Sequence, residues 1–121
     1  MNLQELIEEY NNKAIICSKT DYSNTQSVNE NNSAVKRMYE IIDLIKSQFG
    51  INGIKEFSKL LGIKDYDINV WSATHLLEKM SPDKETEEKA LDVIRCVANN
   101  SDTRGLGFRN WLKAYEEKNS K

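Results

Sequence analysis

Residues 67–80 read DINVWSATHLLEKM, and the side of this segment that faces inward decides the architecture. Wound at 3.6 residues per turn, it places Val70, Ala73, Leu77 and Met80 on one stripe, with Leu76 at its edge. Ile68, Trp71 and His75 fall on a different face, roughly 140 to 180 degrees away at about 100 degrees per residue. A helix that is apolar on two faces needs two partners. Both lie within this chain, or one is another molecule.

Working outward, the neighbouring segments supply candidates for those partners. Residues 2–19 carry Leu3, Ile7, Tyr10, Ala14 and Cys17 on one stripe. The following SKTDYSNTQSVNENNSA, residues 18–34, is rich in small polar side chains that compete for backbone hydrogen bonds, and it reads as a loop that extends one helix or caps the next. Residues 33–49 place Val35, Met38, Tyr39, Ile42, Ile45 and Phe49 inward, and Gly50 follows as a left-handed stop. Residues 52–61 form a short helix with Ile54, Phe57, Leu60 and Leu61, ended by Gly62. Asp65 is placed to cap the central segment.

After it, Ser81 or Asp83 caps a helix whose first turn contains Pro82 and the acidic Glu85, Glu87 and Glu88, with Ala90, Leu91, Ile94, Val97 and Ala98 inward. A last helix over residues 107–121 carries Phe108, Trp111, Leu112 and Tyr115. No stretch shows the alternation and β-branched enrichment of a strand. The expectation is an all-α single domain over 1–121, with about six helices in antiparallel pairs. The short helices and tight connections suit a HEAT/armadillo-like helical repeat, where an inner helix touches two neighbours.

Composition narrows the function classes. The 17 Lys plus Arg and 19 Asp plus Glu give a formal charge of -2, so no global positive field points to nucleic acid, and a basic partner is favoured. The longest apolar runs are too short to cross a bilayer, and the acidic MNLQELIEEY is unlike a signal peptide, which predicts a cytoplasmic chain without membrane contact. Cys17 and Cys96 match no ligand spacing. His75 is the only histidine, which excludes a two-histidine metal site or acid/base pair. It reads as a half-buried imidazole bonded to a backbone carbonyl of the next helix, or as an interface contact. Neighbouring carboxylates such as Glu8 and Glu9 point apart on a helix, so they form a solvated face rather than an acid/base pair. No phosphate loop is present, and Gly105 to Phe108, GLGF, reads as a close-packed turn. No catalysis, metal, cofactor or small-molecule substrate is expected.

The run DYDINVWSATHLL, Asp65 to Leu77, resembles the second half of a HEAT-type repeat, in which an Asp opens a helix and small residues sit where helices approach closely. With Leu6 to Tyr10, Lys36 to Glu40, Trp71 to His75, Ala90 to Ile94, Gly105 to Phe108 and Trp111 to Tyr115, the chain resembles a small bacterial family of HEAT-like domains catalogued as of unknown function. Asn69 departs from it where such helices carry Arg, and Tyr115 stands in place of a second Trp. The resemblance implies a helical module that acts by binding. By analogy of size and fold, it implies an immunity protein that occludes a bacterial toxin, a basic nuclease, as a monomer in a heterodimer.

The expected partner surface is Trp71 and His75 with the carboxylates Asp65, Asp67, Glu5, Glu8, Glu9, Glu85, Glu87 and Glu88. The competing reading is a nucleic-acid-binding helical repeat. In it Arg104, Arg109, Lys113 and Lys118 contact phosphates, and Phe108, Trp111 and Tyr115 stack on bases. A subunit of a homo-oligomer is a third.

Overall fold

The computed structural model describes residues 1–119, and among these there are five α-helices and no strand. They are α1 (Leu3–Ser18), α2 (Thr25–Ser58), α3 (Ile68–His75), α4 (Lys84–Ala98) and α5 (Thr103–Asn119). Short 3-10 turns at Lys59–Gly62 and Asp65–Asp67 lead into α3, and a π turn at Leu76–Met80 leads out of it. The all-α expectation holds; the count is five because the segments predicted at 33–49 and 52–61, which are broken by a non-helical Gly50 where the sequence reading put a stop, follow each other so directly that they are given one label, α2. The last two residues of the final predicted helix lie outside the described residues.

The two-faced central helix finds both partners in this chain. Ile68, Leu76 and Met80 join a core built from Leu6, Ile7, Tyr10 and Ala14 of α1 and Met38, Ile41, Ile42 and Ile45 of α2. Val70, Ala73 and Leu77 join a second core with Ala90, Leu91 and Ile94, onto which Phe108, Trp111, Leu112 and Tyr115 of α5 pack. So α3 is an inner layer between α1–α2 and α4–α5. Met80 belongs to the first core, not with Val70 as regular winding predicts. The π turn explains the change: its wider coil advances each residue through a smaller angle, which brings Met80 round to the side of Ile68.

The polar stretch read as a loop is helical from Thr25 onward, capped by the Asn24 side chain accepting from the Ser27 amide. Only residues 19–24 remain outside a helix. Small polar residues cost little at a helix start, where their side chains replace missing backbone partners. The inward face of α2 is also rotated. Ala34 and Ile41 are buried, whereas Val35 is half-buried and Tyr39 is 36% exposed. Gly50 has the expected positive φ, 55°, but with ψ at -137° it kinks the chain and the helix resumes directly. Only glycine adopts that conformation at low cost.

Asp83 is the cap of α4, its carboxylate accepting from the Thr86 amide at 2.8 Å. The GLGF segment is the first turn of α5 rather than a separate turn, although its close packing is real. A Cβ on Gly105 would collide with the Asn100 carbonyl. The Arg109 guanidinium reaches back to donate to the carbonyls of Ala98 and Asn100 at 2.7 and 2.8 Å, satisfying the end of α4.

Candidate binding cleft

The inner helix leaves part of its Trp71 face open, and a cleft of about 450 Å³ runs along it, within the range of ligand and side-chain pockets. One wall comes from the end of α1 and from α2, through Cys17, Asn31 and Tyr39. The opposite wall comes from Tyr66, Asp67 and Trp71, and α5 closes one end with Arg104 and Phe108. His75 and Glu78 also line it.

His75 is only 1% exposed, deeper than the half-buried position expected from sequence. Its Nδ1 is bonded to the hydroxyl of Tyr10 at 2.6 Å, not to a backbone carbonyl. The rings of Tyr39 and Trp71 lie against it, with centroids 4.8 and 5.8 Å away. Burial and the ammonium of Lys79 lower its pKa to about 4, so the imidazole is neutral at physiological pH. Burial likewise pushes the Tyr10 hydroxyl well above its ordinary range, and the dyad is an uncharged structural pair.

Two turns present exposed rings at the cleft. The 19–24 connection is braced by Asp21, whose carboxylate accepts from the Ser23 amide and hydroxyl and whose amide donates to the Ser27 hydroxyl. From this turn Tyr22 stands 76% exposed. At the entrance to α3, Tyr66 and Asp67 both adopt the left-handed region, at φ 54° and 59°. Consecutive non-glycine residues there cost about 1–3 kcal/mol each and persist only where the surroundings hold them. Here the Asn69 amide donates to the Ile63 carbonyl at 2.8 Å, and Asp67 pairs with Arg104 at 3.2 Å. Tyr66 is thereby held 48% exposed at the cleft wall.

The predicted capping by Asp65 is not observed. The turn at Tyr66 and Asp67 leaves α3 without a side-chain cap at its start, and the Asp67 carboxylate is directed to Arg104 instead.

The structure brings together Trp71, His75 and Asp67, with Asp65 on the adjoining turn, but not the other predicted carboxylates. Glu9 is bound bidentately by Arg37 at 2.7 and 2.9 Å, which ties α1 to α2 and lowers its pKa. Glu5 closes the capping box with Asn2, and Glu8 is exposed on the same helix. On α4, Glu85 pairs with Lys89, Glu88 with Arg95, and Glu87 accepts from the Tyr115 hydroxyl.

Sequence reading missed Tyr22, Tyr66 and Glu78 and assigned Tyr39 to the core. The available signal was that Tyr22 and Tyr66 sit among turn-forming residues, outside any apolar stripe. Glu78 owes its position to the π turn, where it accepts from Trp111 Nε1 at 2.8 Å.

No family model, curated protein or solved structure matches this chain. Its own residues therefore carry the functional reading. Among the described residues, no group of three or more His, Cys, Asp or Glu side chains is arranged to hold a metal ion. Cys17 is half-buried with its thiol pKa raised by burial, and Cys96 is exposed; neither is in a disulfide. Among the described residues, no helix is long and apolar enough to cross a membrane.

Proposed function

We propose that this chain is a non-catalytic binding module, an immunity protein of the cytoplasm that neutralises a bacterial toxin by covering its active site. The observation that carries this reading is the open cleft flanked by Tyr22, Tyr66 and Trp71 on braced turns and the inner helix. Tyrosine and tryptophan give large contact area at low entropic cost, and they are the side chains most often found as energetic anchors of protein contacts. Two of the cleft's charged residues, Asp67 and Glu78, are carboxylates, and Asp65 adjoins them. That sign suits a nuclease, whose phosphate-binding surface must be basic. We also propose that the α1–α2 and α4–α5 layers around α3 are a short HEAT-like stack, as the motif resemblance implies.

The nucleic-acid alternative is disfavoured by what its residues already do. Arg104 is paired with Asp67, Arg109 closes the end of α4, and Trp111 and Tyr115 donate to Glu78 and Glu87. A row in which Arg104, Arg109, Trp111 and Tyr115 already hold internal partners, leaving the exposed Lys113 and Lys118, is poorly suited to phosphates and bases. The test is co-expression with the product of the adjacent gene, followed by pull-down. Rescue of growth with stoichiometric complex formation is the expected result. A toxin that stays fully active at excess of this protein overturns the proposal.

A further inference from the structure

The two terminal helices are held very differently. α1 buries Leu6, Ile7, Tyr10 and Ala14 and is tied to α2 by the Glu9–Arg37 pair. α5 is of nearly the same length, yet among the described residues none of its side chains is fully buried: Phe108, Trp111, Leu112 and Tyr115 are half-buried and the rest are exposed, apart from the closely packed Gly105. A helix of this length is marginal alone in water and depends on the apolar surface it buries. Gly107 weakens α5 further. Gly105 is required by the Asn100 carbonyl, but a Cβ on Gly107 would meet nothing within 4 Å, so glycine there lowers helix stability without a steric need.

The bonds that fasten α5 across the cleft also lie near solvent. Arg104 and Asp67 keep 43% and 53% of their side-chain surface exposed, and the bond from Trp111 to Glu78 is exposed as well. Both acceptors stand on irregular backbone, Asp67 in the left-handed turn and Glu78 in the π turn. Past Glu78, a gap of about 510 Å³ lies between the distal half of α5, Trp111 to Lys118, and the π turn. Glu78 lines both this gap and the cleft, so its bond to Trp111 marks the boundary of the two spaces.

We propose that α5 is a lid on the cleft: it leaves α3 and α4 as a unit about residues 99–102, taking away the end wall of Arg104 and Phe108 and joining the cleft to the gap beside the π turn. Few buried apolar contacts and solvent-exposed bonds mark a segment that opens below global unfolding, and lids are drawn from that end of the stability range. The Arg109 bonds to the carbonyls of Ala98 and Asn100 lie at the hinge itself and define the closed position to which α5 returns. Opening lengthens the cleft along α3 and bares Leu77 and Leu91 of the second core. That this opening admits a partner rests on the binding reading above; the motion itself does not.

The test is native-state hydrogen exchange by NMR on the free, whole protein at low urea concentrations. An undocked α5 also unravels, so its amides report the opening. The expected result is that the amides of residues 107–118 share one opening equilibrium, nearly independent of urea and at least roughly a hundredfold more frequent than that of the α1 amides. Protection equal to that of α1 overturns the proposal, and so does protection that falls residue by residue toward the C-terminus, which is fraying.

Three variants sharpen the readout. Gly107→Ala should lower the α5 opening about fivefold, the scale of the glycine-to-alanine difference in a helix. Glu78→Ala should raise it about fivefold, through loss of one exposed, charge-assisted bond. Tyr10→Phe, which weakens the first core, should speed exchange in α1 and leave the α5 opening unchanged; equal acceleration of both helices means a single cooperative unit and no lid.

Pull-down of the adjacent gene product separates the two claims. A separate α5 opening in a chain that captures no toxin keeps the lid and removes the immunity reading. Capture by a chain whose α5 opens only with the whole molecule does the reverse.

Discussion

The hydroxyl of Tyr10 on α1 lies 2.6 Å from Nδ1 of His75 on α3, joining residues 65 positions apart inside the first core. It is a buried polar bond in otherwise apolar surroundings, where Phe57 packs edge-on against Tyr10 with centroids 4.8 Å apart. Replacing one partner leaves the other dry and unsatisfied, which costs about 1–3 kcal/mol. Tyr10→Phe should lower the unfolding free energy by that amount, measured by urea denaturation at neutral pH.

The same pair makes stability depend on pH. The unfolded imidazole titrates near 6.5, while the native one resists protonation until about 4. Above 6.5 both states are neutral and stability is complete. As the pH falls through 6.5, the unfolded chain binds a proton that the native chain refuses, so stability declines across the window from 6.5 to 4, by about 3 kcal/mol in total. The Glu9–Arg37 pair contributes in the same direction, but below the ordinary carboxylate range. Denaturation of wild type and His75→Gln at a series of pH values checks this. The variant should be less stable at neutral pH and should lose the slope between 6.5 and 4.

At the α4–α5 corner, Gly105 packs against the Asn100 carbonyl and Arg109 closes the end of α4. Gly105→Ala must move backbone against backbone and should cost more than about 2 kcal/mol. Arg109→Ala removes two bonds at a partly exposed site and should cost about 1 kcal/mol. Thermal unfolding of both variants should rank them in that order.

Ser81 ends the π turn in the left-handed region at φ 46° and ψ 59°. Its Cβ is strained there by about 1–2 kcal/mol, partly offset by the extra chain entropy that a glycine must lose. Ser81→Gly should therefore raise stability by about 0.5–1 kcal/mol, seen as a higher urea midpoint with an unchanged slope.

Tyr66 is exposed and strained, so its ring is costly for the isolated chain. Tyr66→Asn keeps a residue that tolerates positive φ while removing the ring. It should leave stability unchanged or slightly higher and weaken partner binding by more than about tenfold, as loss of an anchor does. Calorimetric titration against the partner, with thermal unfolding of the free variant as the control, reads both effects.

Helical periodicity made much of this molecule legible. The stripes on α1, α4 and α5 and the double face of α3 follow from side-chain spacing alone, because local geometry determines which residues share a face. The sequence by itself therefore determined the fold class, the two apolar faces of residues 67–80 and most of the two cores, while packing decided that both faces are covered within this chain. It could not place Met80 in the first core, since the π turn after His75 resets the angular register that periodicity assumes, and it put Tyr39 inward because the apolar residues of α2 admit a stripe centred on Val35 as well as the buried one through Ala34, Met38, Ile41 and Ile45. Nor could it pair Tyr10 with His75, Asp67 with Arg104 or Glu78 with Trp111. Those contacts join residues more than thirty positions apart, and only the packing of α1–α2 and α4–α5 onto opposite sides of α3 brings them together. The cleft belongs to that packing: its walls come from every helix except α4, and no single segment contains enough of it to be read.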